Sequence, residues 1–510
     1  MRTVFAPFEA FRSFDFSKSA RFPKPDWIRH GDPAPTLQSH RLIPGSCLSM
    51  EGKRYVSVAE LARIGVPEDF DGPLVLVFKM VSDNGANIKA AWNNGGRWVP
   101  CFDHTLELCT LPVTWVQRHT DGSGTIPQDS VAEAYAHGRG IVGYLHLSAT
   151  AESDFHACQR RVGLAETQIE LDVKTRWRTA HNMGEQLVYN KAAVLEMDKN
   201  TAYKDPGETW GANKITMTMW DYLEEGTAVL DKASEASQFL EGDKYPTSLL
   251  VIPMTFSLMA TSSPDDWVKF RNRAEDELND DNLNPVKVQH SDLSDKVQAA
   301  RKLFHQSLIT RFDSDVPRDI KKFWFLASLL DPRFKKLTFK NDRLLTQMMR
   351  TRALAWLKAE FEKNYKGKVV AAAPQPDASS DRAPDGAPDG ARPRHLKRRK
   401  TSTAGFFANS DSEESEGEEQ EGEEQDELAA YLALPQIKMK TERDATEWWQ
   451  EHAKEFPNVA VMAWQYLGCP ASSAAVERLF SQVGIAFAAK RKSASAATLE
   501  DIMFSRINLP

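Results

Sequence analysis

Cysteine is scarce in this chain: Cys47, Cys101, Cys109, Cys158 and Cys469 are all there are in 510 residues. Five scattered thiols cannot make a disulfide framework, so a reducing compartment, cytosol or nucleus, is expected. No Cys-x2-Cys pair occurs either, which disfavours a zinc finger and leaves no structural zinc expected. No apolar run reaches the roughly 18–20 residues that cross a bilayer, so no membrane partner is expected. The opening stretch MRTVFAPFEAFRSFDF is interrupted by Arg2, Glu9, Arg12 and Asp15 and holds no signal-peptide core. Net positive charge is missing as well. Lys and Arg number 64 against 71 Asp and Glu, a formal charge of −7, so bulk composition does not announce a nucleic-acid binder.

What is present is a soluble globular composition, 41% hydrophobic and 26% charged, long enough for several domains. The charge is unevenly placed. Residues 369–427 begin with an Ala/Pro/Asp/Gly tract, pass through a basic knot and end in the acidic run 411–427. Such a stretch buries too little apolar surface to offset its ordering entropy and reads as a disordered linker. The acidic run holds eleven carboxylates and no base, and without it the remaining charge is +4. The knot, RPRHLKRRK, offers Arg392, Arg394, Lys397, Arg398, Arg399 and Lys400 as a nuclear-import signal, so a nuclear location is expected.

Before the linker the patterning is mostly helical. Leu293, Val297, Ala300, Phe304, Leu308 and Phe312 recur at three- and four-residue spacing and predict one amphipathic helix. The apolar block 322–330 ends at Asp331-Pro332, where the proline opposes helical continuation. Residues 342–365 form another helix candidate with Asp342 placed to cap it. The β-branched run 73–78 predicts a buried strand that delivers Ser82-Asp83-Asn84-Gly85 at its tip. After the linker, residues 428–510 make a compact helical unit. Trp448 and Trp449 lie in its first helix, Pro457 ends that helix, and Ser472 or Ser473 can cap a later one.

Four motifs could carry chemistry. Asp83 at a strand end could hold a divalent metal together with further carboxylates; an Asp-Asn-Gly turn is the plainer alternative. Cys101-Phe-Asp-His104 has the spacing of half a zinc site, and a buried Cys with a hydrogen-bonded His is the simpler account. Arg176-Trp177 could stack on a flipped base or anchor a core. Glu477, one turn into a helix after Ser472-Ser473, is a capping and ion-pair residue or a buried functional carboxylate. Trp448, Trp449 and Trp464 add more aromatic surface than about 80 residues usually need. They meet a partner or pack against the same chain; both readings stand.

Taken in order, VSDNGANIKAAW, CFDHTLELC, HGRGIVGYLHLSATAESDF, LDVKTRWRTAHNM, FLEGDKYPTSLLVIPM, FWFLASLLDPRFKKL and GCPASSAAVERLFSQVGIAFAAKRKS closely resemble the hAT superfamily of DNA transposases. The resemblance spans roughly residues 74–510, and LLDPRFK and ASSAAVERLFSQVG are its most specific blocks. It implies an α+β, mostly α fold: a ribonuclease-H-like core interrupted by a large helical insertion, with a helical C-terminal dimerisation segment. On that basis the chain divides into an N-terminal remnant (1–70), a partial ribonuclease-H-like core (71–160), the insertion (161–368), the linker (369–427) and the dimerisation region (428–510).

The resemblance also implies site residues. Asp83 matches the family's second metal-binding Asp and Glu477 its final Glu, which would hold Mg²⁺ or Mn²⁺ if the chain is active. Cys101 and His104 match its Cys-x-x-His, here taken as structural, and Trp177 with Arg176 its DNA-end-binding position. Trp448, Trp449, Trp464, Leu479 and Phe480 are the expected dimerisation residues. The sequence departs from the family in four places. Asp15 is the sole stand-in for the first Asp, Arg178 stands where Asn is usual, Glu107 replaces the usual Asn after His104, and no BED-type zinc finger is evident. The expectation is a transposase-derived protein that forms homodimers or larger self-assemblies, associates with DNA and does not transpose. An active recombinase using Asp15 and a helical interaction module without DNA are the alternatives.

Overall fold

The structure, a computed structural model, describes residues 42–46, 53–57, 79–83, 85, 89, 98–114, 128–172, 177–203, 209–242, 245–270, 286–367, 426–437 and 445–478. Asp15, Arg176, Leu479, Phe480, the basic knot and the run 73–78 lie outside them. The chain separates into two compact units: 1–80 with 92–98 and 474–510, and 81–91 with 99–473.

In the first unit, β1 (Leu42–Ser46) pairs antiparallel with β2 (Lys53–Ser57), Leu42 opposite Ser57. Two further strand pairs are described, β3 (Met80–Ser82) with β4 (Trp98–Pro100), and β5 (Val268–Phe270) with β6 (Val286–Val288). Among the described residues no sheet exceeds two strands. The mostly helical expectation therefore holds.

The second unit is built from helices. They are α1 (Phe102–Thr114), α2 (Val131–Leu147), α3 (Ala149–Arg161), α4 (Trp177–Tyr189), α5 (Lys191–Met197), α6 (Thr209–Ala212) and α7 (Met217–Leu240). Then come α8 (Val251–Ser262), α9 (Asp295–Ile309), α10 (Arg318–Leu329) and α11 (Gln347–Asn364). The last are α12 (Glu427–Ala433), α13 (Ala445–His452) and α14 (Pro457–Leu467). Hydroxyl caps start several of them. Ser130, Ser148, Thr216 and Thr346 each accept from the amide three residues on. The Glu133 carboxylate reaches back past the cap and accepts from the Asp129 amide.

α1 lies against α9, α7, α2 and α4. Its Phe102, Leu106, Cys109 and Val113 are buried there, each large apolar side chain contributing about 1.5–3 kcal/mol. The stripe read from the sequence turns inward as expected: Leu293, Val297, Ala300, Phe304, Leu308 and Phe312 are all buried. A wide π turn, Thr310–Ser314, follows α9 and keeps Phe312 on that face, 4.8 Å from the Phe102 ring. Gly184 lets α4 approach closely, since a Cβ there would meet Thr227 Oγ1 at 2.7 Å.

Two local expectations change. α11 begins at Gln347 with Thr346 as its cap, not at Asp342. Asp342 instead accepts from the Phe339 amide and pairs with Arg350 at 2.7 Å, while Leu345 leaves the helical region of backbone space and buries its side chain. Trp448 and Trp449 do not form an outward aromatic surface. Both are buried, stacked around Tyr431 and Phe456, and Trp449 Nε1 donates to the Leu330 carbonyl at 2.8 Å.

That bond shows what LLDPRFKKL does. α10 ends before Pro332, and the helix-end carbonyls of Leu329 and Leu330 accept from Tyr431 OH and Trp449 Nε1. Lys335, 1% exposed, reaches under α12 to donate to the Tyr431 carbonyl at 2.8 Å. Asp331 is fully buried and forked by the Arg333 guanidinium. The first half of the C-terminal region is thereby docked onto the end of α10.

Candidate functional site

Three of the quoted motifs converge on the start of α1. β3 ends at Ser82, whose carbonyl accepts from the Cys101 amide at 2.7 Å, so the segment carrying Asp83 lies beside the CFDH segment. From the other end of the sequence, the Ala471 carbonyl accepts from the Phe102 amide at 2.9 Å. The Ser473 amide donates to Cys101 Sγ at 3.3 Å, and Ser472 Oγ lies 3.5 Å from the same sulfur. Thr247 Oγ1 holds the Ala471 amide at 2.8 Å. The loop leading toward Glu477 is thus fixed by main-chain and thiol contacts to α1.

Cys101 is 1% exposed, and burial pushes its thiol up, with Asp103 adding to the rise. It is a packed acceptor and not an activated nucleophile. His104 turns away from it, its Nδ1 standing 3.5 Å from Glu107 Oε2.

The most perturbed group of the seam is Asp103, a residue that sequence reasoning passed over. Ser237 Oγ lies 2.6 Å from Asp103 Oδ1 and 3.2 Å from Glu241 Oε1. A hydroxyl carries one proton, so it cannot donate to both carboxylates. Arg178 Nη2 donates to Glu241 Oε2 at 2.9 Å. Burial, followed by the nearby Glu241 charge, pushes the Asp103 carboxyl up to about 7, against the opposing effects of Ser237, Ser472 and Arg178. No motif signals this arrangement, because Asp103 and Ser237 are 134 positions apart. Arg178, noted as a departure from the family's Asn, has its reason here.

The other expected site residues fall as follows. Asp83 is exposed, and its Oδ1 accepts from the Gly85 amide at 3.1 Å, the turn geometry weighed beside the metal reading. Gly85 is suited to that close approach, since a Cβ would lie 3.0 Å from the same oxygen. Glu477 is exposed on the helical turn 474–478, in the other compact unit. Trp177 opens α4 and is 3% exposed, with no hydrogen-bond partner for its indole N–H among the described residues. Trp464 is half-buried on α14. Among the described residues, no three His, Cys, Asp or Glu side chains come together as a metal ion would need.

Fold and site therefore define a mostly helical protein whose described residues 426–437 and 445–473 are docked on its own core and stitched to α1. Residues 427–509 match the hAT family C-terminal dimerisation region. Along most of its length the chain is similar to a human protein, Zinc finger BED domain-containing protein 4, at 21% identity over 433 residues. That alignment covers 84% of this chain and 31% of the human protein, so the chain spans about a third of its relative's length. The chain carries the hAT C-terminal dimerisation region, and the resemblance read from its motifs is shown. Among the described residues no helix is long and apolar enough to cross a membrane.

Proposed function

We propose that this chain is a transposase-derived protein that pairs with a second copy through its C-terminal region, associates with DNA in the nucleus and does not transpose. The match of residues 427–509 to a dimerisation region carries the reading. Because Trp448 and Trp449 are internal, the pairing surface has to come from elsewhere. α14 supplies it. Pro457, Val461, Trp464 and Gly468 recur at four-, three- and four-residue spacing along one outward face, with Val461 42% exposed and Gly468 open. Leu479 and Phe480, dimerisation residues by the family resemblance, lie outside the described residues. Nuclear import through the basic knot and DNA association, with Trp177 and Arg176 as the DNA-end-binding pair, follow the family resemblance. Sedimentation of the full chain tests the self-association, which predicts a dimer at micromolar concentration; a monomer throughout would remove it.

A second reading keeps strand cleavage, with Asp83 and Glu477 as metal ligands. The contact between the strand carrying Asp83 and the CFDH segment favours it. Mg²⁺- or Mn²⁺-dependent nicking by the wild type that is lost in Asp83→Asn would establish that reading and overturn the non-catalytic one.

A further inference from the structure

We infer that the outward side of α11 is a docking surface for the acidic run of this same chain, residues 411–425, with Phe406 and Phe407 seated beside Trp356. A helix with apolar residues on most of its sides is normally covered on most of them. α11 departs from that rule. Its principal neighbour is α10, and only Ala353, Leu357 and Phe361 are buried along its length. Met348, Ala355 and Ala359 run down the opposite side at seven- and four-residue spacing, all exposed, Met348 by 66%.

Cations border that apolar strip. At 3.6 residues per turn, Arg352 and Trp356 share one edge of it and Lys358 stands on the other. Arg352 and Lys358 are exposed, and among the described residues neither makes an ion pair. The two carboxylates of α11 are already taken, Glu360 by Lys322 and Glu362 by Lys366, and Arg350 is paired with Asp342. Across from α11 the Arg318 guanidinium lies 5.9 Å from the centre of the half-buried Trp356 ring. Arg318, Asp319, Lys322 and Trp356 line an open cavity of about 490 Å³.

The chain itself supplies the complement. Residues 403–425 hold nine carboxylates and no base, and Phe406 and Phe407 are the only Phe, Tyr or Trp between 368 and 425. The run also ends in the right place. Asp426, which follows it at the start of α12, adds its field to the larger effect of Glu362 in raising the Lys366 amine just past α11. From Lys366 back to Arg352 is about 21 Å along the helix. The run can extend over about 50 Å, so it reaches Arg352 with chain to spare. A tether at that point holds it at roughly millimolar effective concentration, enough for weak ion pairs and seated rings to persist. A line of phosphates would leave Met348, Ala355 and Ala359 uncovered. An acidic peptide with two phenyl rings meets both the cations and the apolar strip.

The test compares the wild-type full chain with a full chain whose run is neutralised, each carboxylate of 411–425 changed to Asn or Gln. A labelled peptide of residues 403–425 is titrated with each by fluorescence anisotropy. The neutralised chain should bind it at least about tenfold tighter, because in wild type the tethered run already holds the surface. Added salt should weaken that binding. Placing Arg352→Glu/Lys358→Glu in the neutralised chain should cost at least about a further tenfold, since like charges then face each other. Trp356→Ala, or Phe406→Ser/Phe407→Ser in the peptide, should weaken binding by less. Arg352 and Lys358 are exposed, so the reversal should leave the melting temperature level; if it falls, Arg352→Gln/Lys358→Gln takes its place in the same titration. No binding to the neutralised chain would overturn the proposal, and so would binding that survives the changes at Arg352 and Lys358. Equal binding to both chains would mean that the run does not occupy its own surface. Protection in wild type that grows with protein concentration would mean that the run of a second copy does. Duplex DNA that displaces the peptide at lower concentration than unlabelled peptide does would make the side a nucleic-acid surface. Each of these three results overturns the assignment.

Discussion

The docked C-terminal helices and the seam at α1 hold the same chain together by different physics. Around α12–α14 the contacts are ring on ring, Trp448 against Trp449 at 4.8 Å and Tyr431 against Trp449 at 5.0 Å, with main-chain carbonyls taking the indole and phenol protons. At the seam a carboxyl from α1, a hydroxyl from α7, a carboxylate just past α7 and a guanidinium from α4 form one hydrogen-bonded chain. The first kind of contact depends on volume and is nearly indifferent to pH. The second is small in area, yet its strength depends on where one proton sits. Lys335 is the exception that joins them, a cation buried inside the aromatic region.

Removing Trp449 should have the largest effect. Trp449→Ala deletes a fully buried ring and leaves the Leu330 carbonyl without its donor, so a loss of about 3–5 kcal/mol is expected in urea unfolding. A loss below about 1 kcal/mol would mean that the C-terminal helices are not docked as described.

Lys335 tests the exception. Burial pushes its amine down to about 7, with neighbouring Lys336 adding to the shift, so the folded state holds that proton less firmly than the unfolded chain does. Stability from this group is present above the ordinary lysine range and is lost as pH falls toward about 7. Wild type should accordingly gain roughly 2–4 kcal/mol between pH 7 and pH 10 from this group, while Lys335→Met should show a flatter profile. Equal slopes would remove the buried cation from the account.

Asp103 should show the opposite sign. Its carboxyl is raised to about 7, so its stabilising contribution is complete below the ordinary aspartate range and is lost as pH rises through about 7. Asp103→Asn should match wild type near pH 4 and exceed it by roughly 1–3 kcal/mol at pH 8. A variant less stable than wild type at pH 8 would contradict the raised Asp103 carboxyl.

The two regions also differed in how far the sequence revealed them. The stripe of α9 was legible because burial imposes a helical period on adjacent residues, and so was the existence of α13 and α14. What the aromatic helices pack against was not legible. Indole-rich helices look alike whether they meet a partner or their own chain, and Lys335 inside LLDPRFKKL reads as a surface charge until its carbonyl acceptor is seen. The seam was half visible. Cys101, His104 and Ser472 stood in motifs, but Asp103 meets a serine and a glutamate at an ordinary four-residue helical spacing, far away in sequence. Strands of three residues, such as β5 and β6, carry too little alternation to be found by period at all.

The central claim is that the outward face of α14, and not the tryptophan pair of α13, brings two copies together. Sedimentation equilibrium of the full chain, comparing wild type with Val461→Arg, tests it directly. Val461 is 42% exposed, so the substitution should leave the monomer's fold and melting temperature unchanged. The account predicts a wild-type dimer and a dissociation constant at least about tenfold higher in the variant, a cost of about 1.4 kcal/mol. A monomeric wild type, or a variant that dimerises as tightly as wild type, would contradict it.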